Sequence, residues 1–149
     1  MPFDGDVKRY EVVTKPRRVT RTELMRLINA RLETGKDWTQ GKLRHGNRVC
    51  ILGAFESVAL DLGWDFPRNR QQRNEIFDAF AKNMMKLPGI YKGLPGHGAV
   101  IAYNDHVGRR FSDVKKTLVK SERRARRRDA MDRLLGCERL IGPKELVEA

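Results

Sequence analysis

Four stretches of the chain place apolar residues at the three- and four-residue intervals of a helix that buries one face. In the first, Leu24, Leu27, Ile28 and Leu32 follow Thr20-Arg21-Thr22-Glu23. That spacing lets Thr20 hold a backbone N–H while Glu23 reaches back to the cap, and Gly35 is suited to close the helix. The second starts near Cys50 and sets Ile51, Ala54, Phe55, Val58 and Leu62 on one face, with Leu52 and Ala59 beside it. Its apolar coverage predicts the central, most buried helix, stopped by Gly63. The third runs from about Asn69 to Leu87, turns Ile76, Phe77, Phe80, Ala81 and Met84 inward, and breaks at Pro88-Gly89.

The last and longest pattern opens at Ser112, a natural N-cap, with Asp113 favourable in the first turn. It changes face along its length. Val114, Leu118, Ser121 and Ala125 line one side, whereas Ala130, Met131, Leu134 and Leu135 line another. Its first half is expected to pack on the domain and the remainder to project or kink, with Gly136 as the stop.

Between these elements, Trp38-Thr39-Gln40-Gly41 opens a loop through His45-Gly46-Asn47, and Trp64-Asp65-Phe66-Pro67 is a connection. Gly89 to Gly98 holds four glycines and a proline and reads as a loop. Ala99–Tyr103 suits a buried strand or a short helix equally. Asn104-Asp105 and Gly108 mark a turn, Tyr10–Val13 suits a short strand, and Pro143 is placed to open a terminal helix. The expected fold is mainly α: a compact single domain of about four main helices, with room for one short β-strand pair and a long basic C-terminal helix. A basic arm (1–19), a helical core (20–121) and an arginine-rich extension with a tail (122–149) divide it.

Composition shifts attention to partners. At 149 residues a real core needs no metal or disulfide staple. Hydrophobic content of 40% with 34% charged residues describes a small core under a charged surface. A net charge of +12 and a pI near 10.2 favour nucleic acid as partner, then an acidic protein, and argue against a membrane, since no helix pairs a basic face with a bulky apolar one. The longest apolar run, Val49–Phe55, is too short to span a bilayer. Asp4 and Asp6 are unlike a signal peptide, so a cytoplasmic protein with Cys50 and Cys137 both reduced is expected.

The basic residues concentrate. Arg123, Arg124, Arg126, Arg127 and Arg128 fall within six positions, joined by Lys115, Lys116 and Lys120 and answered nearby only by Glu122, Asp129 and Asp132. At 100° per residue the arginines point around most of the helix, leaving a narrow apolar strip at Ala125. Such a turn is not expected to lie flat on a core. Arg17 and Arg18 belong to a second concentration that includes Lys8, Arg9, Lys15 and Arg21. Guanidinium forks fit phosphate oxygens. A solvated, solubilising helix is the plain alternative.

Other chemistry is weaker. Cys50 sits at a helix start, where the dipole lowers a thiol pKa, and His45, His97, His106, Asn104 and Asp105 are available as base or orienting group. A small apolar residue entering the most hydrophobic helix is more often core. No zinc-type spacing of cysteine and histidine occurs, and the glycine-rich loop lacks the Gly-Lys-Ser/Thr ending of a phosphate loop. No metal or cofactor is expected.

Trp38-Thr39-Gln40-Gly41, Cys50-Ile51-Leu52-Gly53-Ala54, Ile101-Ala102-Tyr103-Asn104-Asp105 and Asp113-Val114 together resemble a family of small uncharacterised bacterial and phage proteins. That family reads W-x-x-G, W-C-x-x-G-A and W-N-D, followed by a final helix opened by Ser/Thr and an acidic-Val pair. The resemblance covers roughly Trp38 to Ala125, and this chain departs from it at Val49 and Tyr103. It implies a mostly helical domain in which Trp38, Gly53, Ala54, Asn104 and Asp105 occupy shared positions, and it lends no activity. Physically, Gly53-Ala54 would permit close approach to the second helix, and Asn104-Asp105 would cap backbone groups.

The reading that follows is a small, basic, non-enzymatic protein that engages DNA, RNA or a nucleoprotein. Arg123, Arg124, Arg126, Arg127, Arg128, Lys116, Lys120, Arg17 and Arg18 would make the contacts. The alternatives are a phage-type inhibitor or interaction protein that binds an acidic protein surface, and a cysteine-dependent hydrolase using Cys50. The first two require the arginine belt to be unclaimed by the chain's own carboxylates.

Overall fold

A computed structural model describes residues 16–66, 70–91 and 93–143. The arm expected over 1–15, with its Tyr10–Val13 strand and Lys8, Arg9 and Lys15, lies outside the described residues, as do the start of the third helix before Arg70 and the helix expected after Pro143. Among the described residues there are five α-helices: α1 Arg21–Arg31, α2 Ile51–Asp61, α3 Arg70–Asn83, α4 Gly96–Asp105 and α5 Phe111–Leu134. A hairpin of β1 (Arg44–His45) and β2 (Arg48–Val49) stands between α1 and α2.

The helix α2 is the hub. Ile51, Leu52, Gly53, Ala54, Phe55, Val58 and Ala59 are all buried, and Gly63 ends the segment at φ 79°. Phe55 stacks on Phe80 of α3 with centroids 4.2 Å apart and meets Phe66 and Phe77 edge-on. Such aromatic pairs add to the area they bury.

The strand pair exists, but at a place the periodicity hid. The stretch expected to be a loop through His45-Gly46-Asn47 is a two-residue hairpin, with Arg44 opposite Val49 and Gly46 at φ 61°. A glycine at the first turn position matches the right-handed twist of the strands. Ala99–Tyr103, suited to strand or helix, is helical within α4. Gly96 explains part of that choice: a Cβ there would stand 2.9 Å from the Asp78 carbonyl oxygen, so only glycine lets α4 begin against α3.

Three boundaries differ from expectation. The helix α3 stops at Asn83 rather than Leu87, because Ser121 Oγ accepts the Lys86 N–H at 2.9 Å and Arg128 donates to the Asn83 carbonyl at 3.2 Å. The N-cap of α5 is Arg110, not Ser112; Asp113 in the first turn accepts the Arg110 N–H at 3.2 Å. Gly35 does not close α1 but opens a 3-10 turn, Gly35–Asp37, capped by Thr34. Thr20 caps α1 as expected, accepting the Glu23 N–H at 3.1 Å, while the Glu23 carboxylate turns to Arg17 at 2.8 Å.

The pairing of α1 with α5 fixes everything that follows. The helices run antiparallel, and α5 attends to both ends of α1. Asp129 accepts the Thr22 N–H at 2.9 Å and the Thr22 hydroxyl, placing an anion at the α1 N-terminus. Lys115 donates to the carbonyls of Asn29 (2.7 Å) and Leu32 (3.0 Å), placing a cation at the C-terminus. Both suit the helix dipole. Val114, Thr117, Leu118, Ser121, Ala125 and Asp129 form the buried face between them. The latter half of α5 therefore neither kinks nor projects at the arginines: it remains docked through Ala125 and Asp129, and the expected boundary at 122 falls inside a continuous 24-residue helix. A strip of small and hydrogen-bonding residues was enough to seat it.

Candidate nucleic-acid interface

The seating of α5 decides where its cations go. Taking 100° per residue from Lys116, the buried positions centre on the opposite side of the helix, while Lys116, Lys120, Arg123 and Arg127 fall within roughly 60° of one another. These four are exposed. They form an outward line about 16 Å long at 1.5 Å per residue, and no carboxylate shares its arc. On the N-terminal half of this face, Phe111, Lys115, Lys116, Val119, Lys120 and Arg123 surround a shallow depression of about 490 Å3.

The carboxylates near the belt are committed elsewhere. Asp129 and Asp132 both receive Arg21, at 3.4 and 2.8 Å, and Asp129 also holds Thr22. Glu122 accepts from Asn29 Nδ2 at 3.1 Å and pairs with Arg126 at 2.6 Å. Among the described residues, Arg123, Arg124 and Arg127 have no ion pair. Burial, and then the neighbouring Arg128 and Arg127, push the Arg124 pKa below its ordinary value. Like charges crowd here without relief.

The remaining candidates separate into groups. Arg128 spends part of its guanidinium on the end of α3. Lys115, counted with the basic cluster, is a cap on α1 with its pKa lowered chiefly by burial. Arg17 is engaged with Glu23, and Arg18 donates to the Leu140 carbonyl at 3.1 Å; both sit before α1 rather than on the α5 line. Sequence spacing alone could have singled out Lys116, Lys120, Arg123 and Arg127, which lie at intervals of four, three and four. What hid the line was the number of arginines pointing elsewhere.

Cys50 lies in a different setting. It is the N-cap of α2, its Sγ accepts the Gly53 N–H at 3.3 Å, and it is 7% exposed. Burial pushes its thiol pKa up, against the lowering that a helix start alone suggests. Among the described residues, none of His45, His97 and His106 is hydrogen-bonded to it. His97 Nδ1 bonds Asp78, and His106 Nδ1 lies 2.8 Å from the Val107 carbonyl.

The motif residues around Cys50 are a structural knot. Asn104 Oδ1 accepts from Trp38 Nε1 (2.8 Å) and the Ile51 N–H (3.3 Å), and its Nδ2 donates to the Thr39 carbonyl (3.1 Å). Asp105 accepts the Gly41 N–H at 2.9 Å, and Gln40 donates to the Asn104 carbonyl at 2.9 Å. Thus the end of α4 ties the Trp38–Gly41 loop to the start of α2. Gly53 permits this: a Cβ there would lie 2.1 Å from the Leu43 carbonyl oxygen. These residues hold the fold together.

Among the described residues, no group of three or more His, Cys, Asp or Glu side chains is placed to hold a metal ion, and no helix is long and apolar enough to cross a membrane. No curated protein and no solved structure matches the chain. Its sequence does match the model of DUF6197, a family of unknown function, over residues 16–124, and the chain belongs to that family. The match takes in Lys116, Lys120 and Arg123 and stops short of Arg126, Arg127 and Arg128.

Proposed function

We propose that this DUF6197 protein is a non-enzymatic nucleic-acid-binding protein that grips the phosphate backbone with the outward line of α5. Lys116, Lys120, Arg123 and Arg127 make the principal contacts, with Arg124 and Arg126 on the flanks. One observation carries this reading: the nearby carboxylates are turned to α1 or to Arg126, so Arg123, Arg124 and Arg127 keep their charge unanswered within the described chain. A phosphate backbone answers such a line, and releasing its counterions supplies the driving force. The contacts position a backbone and carry no base sequence by themselves. The buried, raised-pKa thiol of Cys50 gives no comparable support to a hydrolase.

The test is fluorescence anisotropy with a labelled oligonucleotide in about 0.15 M salt, with polyglutamate as competitor. Non-specific binding at such salt falls at micromolar or weaker Kd. Saturable binding that polyglutamate displaces poorly supports the proposal. No binding to DNA or RNA, with tight capture of polyglutamate, would instead favour the acidic-protein reading.

A further inference from the structure

The outward line of α5 does not end in charge. Leu134, Leu135 and Met131 are exposed by 82%, 69% and 54%, whereas Val114 and Leu118 of α5 are fully buried and Phe111 and Val119 are half-buried. Leu134 lies eighteen residues after Lys116, five turns on, and so points in the same direction as the cation line. It stands about 10 Å beyond Arg127 along the axis, with Met131 roughly 60° to one side. Gly136, at φ 70°, follows directly, and among the described residues nothing covers Leu134.

A linear polyanion lying along Lys116, Lys120, Arg123 and Arg127 therefore runs onto an apolar tip. An inorganic polyphosphate gains nothing from that contact. A perfect duplex presents phosphates and sugars at its outside and keeps its base faces stacked. A strand with unpaired bases offers phosphates to the cations and base faces to Leu134 and Met131 at the same time, without the few kcal/mol per step that an apolar wedge must spend to unstack a duplex.

Resting on the nucleic-acid reading above, we infer that the cation line and apolar tip of α5 together select nucleic acid with unpaired bases, Leu134 and Met131 packing against those bases. Electrostatics alone points the other way, since a duplex has the higher charge density and the steeper salt dependence. A preference for single strands thus isolates the apolar contribution.

The experiment compares an unstructured oligonucleotide of about 20 nucleotides, its duplex, and polyphosphate of matched charge, for the wild type and the double variant Met131→Ser/Leu134→Ser, in about 0.15 M salt. Both substitutions are at exposed positions, and circular dichroism checks that the melting temperature is unchanged. The wild type should bind the single strand roughly tenfold more tightly than the duplex, the equivalent of burying about one leucine side chain. The double variant should lose that preference and keep its salt slope and its affinity for polyphosphate. Equal wild-type affinities for strand and duplex, or a preference that survives in the variant, overturn the inference while leaving the phosphate-gripping role in place. Absence of salt-dependent binding to every nucleic acid overturns both.

Discussion

Replacing Asp129 with alanine removes the group that seats the arginine-bearing half of α5. The residue is 7% exposed, and its carboxylate accepts the Thr22 N–H at 2.9 Å, the Thr22 hydroxyl, and Arg21 at 3.4 Å. Hydrogen bonds to a charged group are each worth about 1.5–3 kcal/mol, and an anion at a helix N-terminus adds roughly 0.3–1 kcal/mol. Asp132 still receives Arg21 at 2.8 Å, so that guanidinium is not orphaned and part of the loss is offset. The expected net destabilisation is about 2–4 kcal/mol. For a chain of this size it should lower Tm by roughly 6–12 °C. Asp129→Asn keeps one acceptor and should lose about half as much. Urea unfolding followed by circular dichroism reads the difference. A loss below about 0.5 kcal/mol, the level of an ordinary surface change, would refute the seating argument. Because Asp129 serves α1 and not the belt, the salt dependence of nucleic-acid binding should be unaltered in either variant while it remains folded.

Three further outcomes follow from the same geometry. Gly53→Ala drives a Cβ to 2.1 Å from the Leu43 carbonyl and should cost about 2–3 kcal/mol in urea unfolding, whereas an unchanged midpoint would contradict the close approach of hairpin and α2. Ellman's reagent at mildly alkaline pH should titrate exposed Cys137 at once and buried Cys50 only as the protein opens; two equally fast thiols would contradict the burial and raised pKa of Cys50. The Asp78 carboxyl is held below its ordinary pKa first by the His97 backbone N–H (2.7 Å) and then by the His97 ring. Its stabilising contribution is present above the unfolded-state pKa and is lost as pH falls through the folded one. His97→Ala should raise that pKa only part of the way, and an unchanged carboxyl titration by NMR would contradict the ring contact.

Much of the fold was legible in the chain because its cues are local. The Thr20 cap, the apolar circumference of α2 and the Gly63 stop each specify their element within a few residues. The errors arose where a distant partner decided. Ser121 and Arg128, on α5, cut α3 short by taking its final backbone groups. Ala99–Tyr103, left open between strand and helix, is helix, and Gly96 lets that helix start against α3, a close approach invisible to periodicity. At the candidate site, composition identified the basic helix but misjudged its posture. Counting arginines around a wheel predicted a projecting segment, whereas one seam of Ser121, Ala125 and Asp129 is enough to dock it. Docking then selects which cations face outward. Asp129 and Asp132 looked like counter-charges to the belt in sequence; only the antiparallel pairing assigns them to Arg21 and Thr22.

The most direct measurement of the central claim is the slope of log Kd against log salt for a DNA duplex, taken with the wild type and with Lys116→Ala/Lys120→Ala/Arg123→Ala/Arg127→Ala. Each phosphate neutralised contributes about 0.9 to that slope, so four unclaimed cations gripping the backbone predict a loss of about three to four units in the variant. A variant that keeps its fold and shows the wild-type slope would contradict the account.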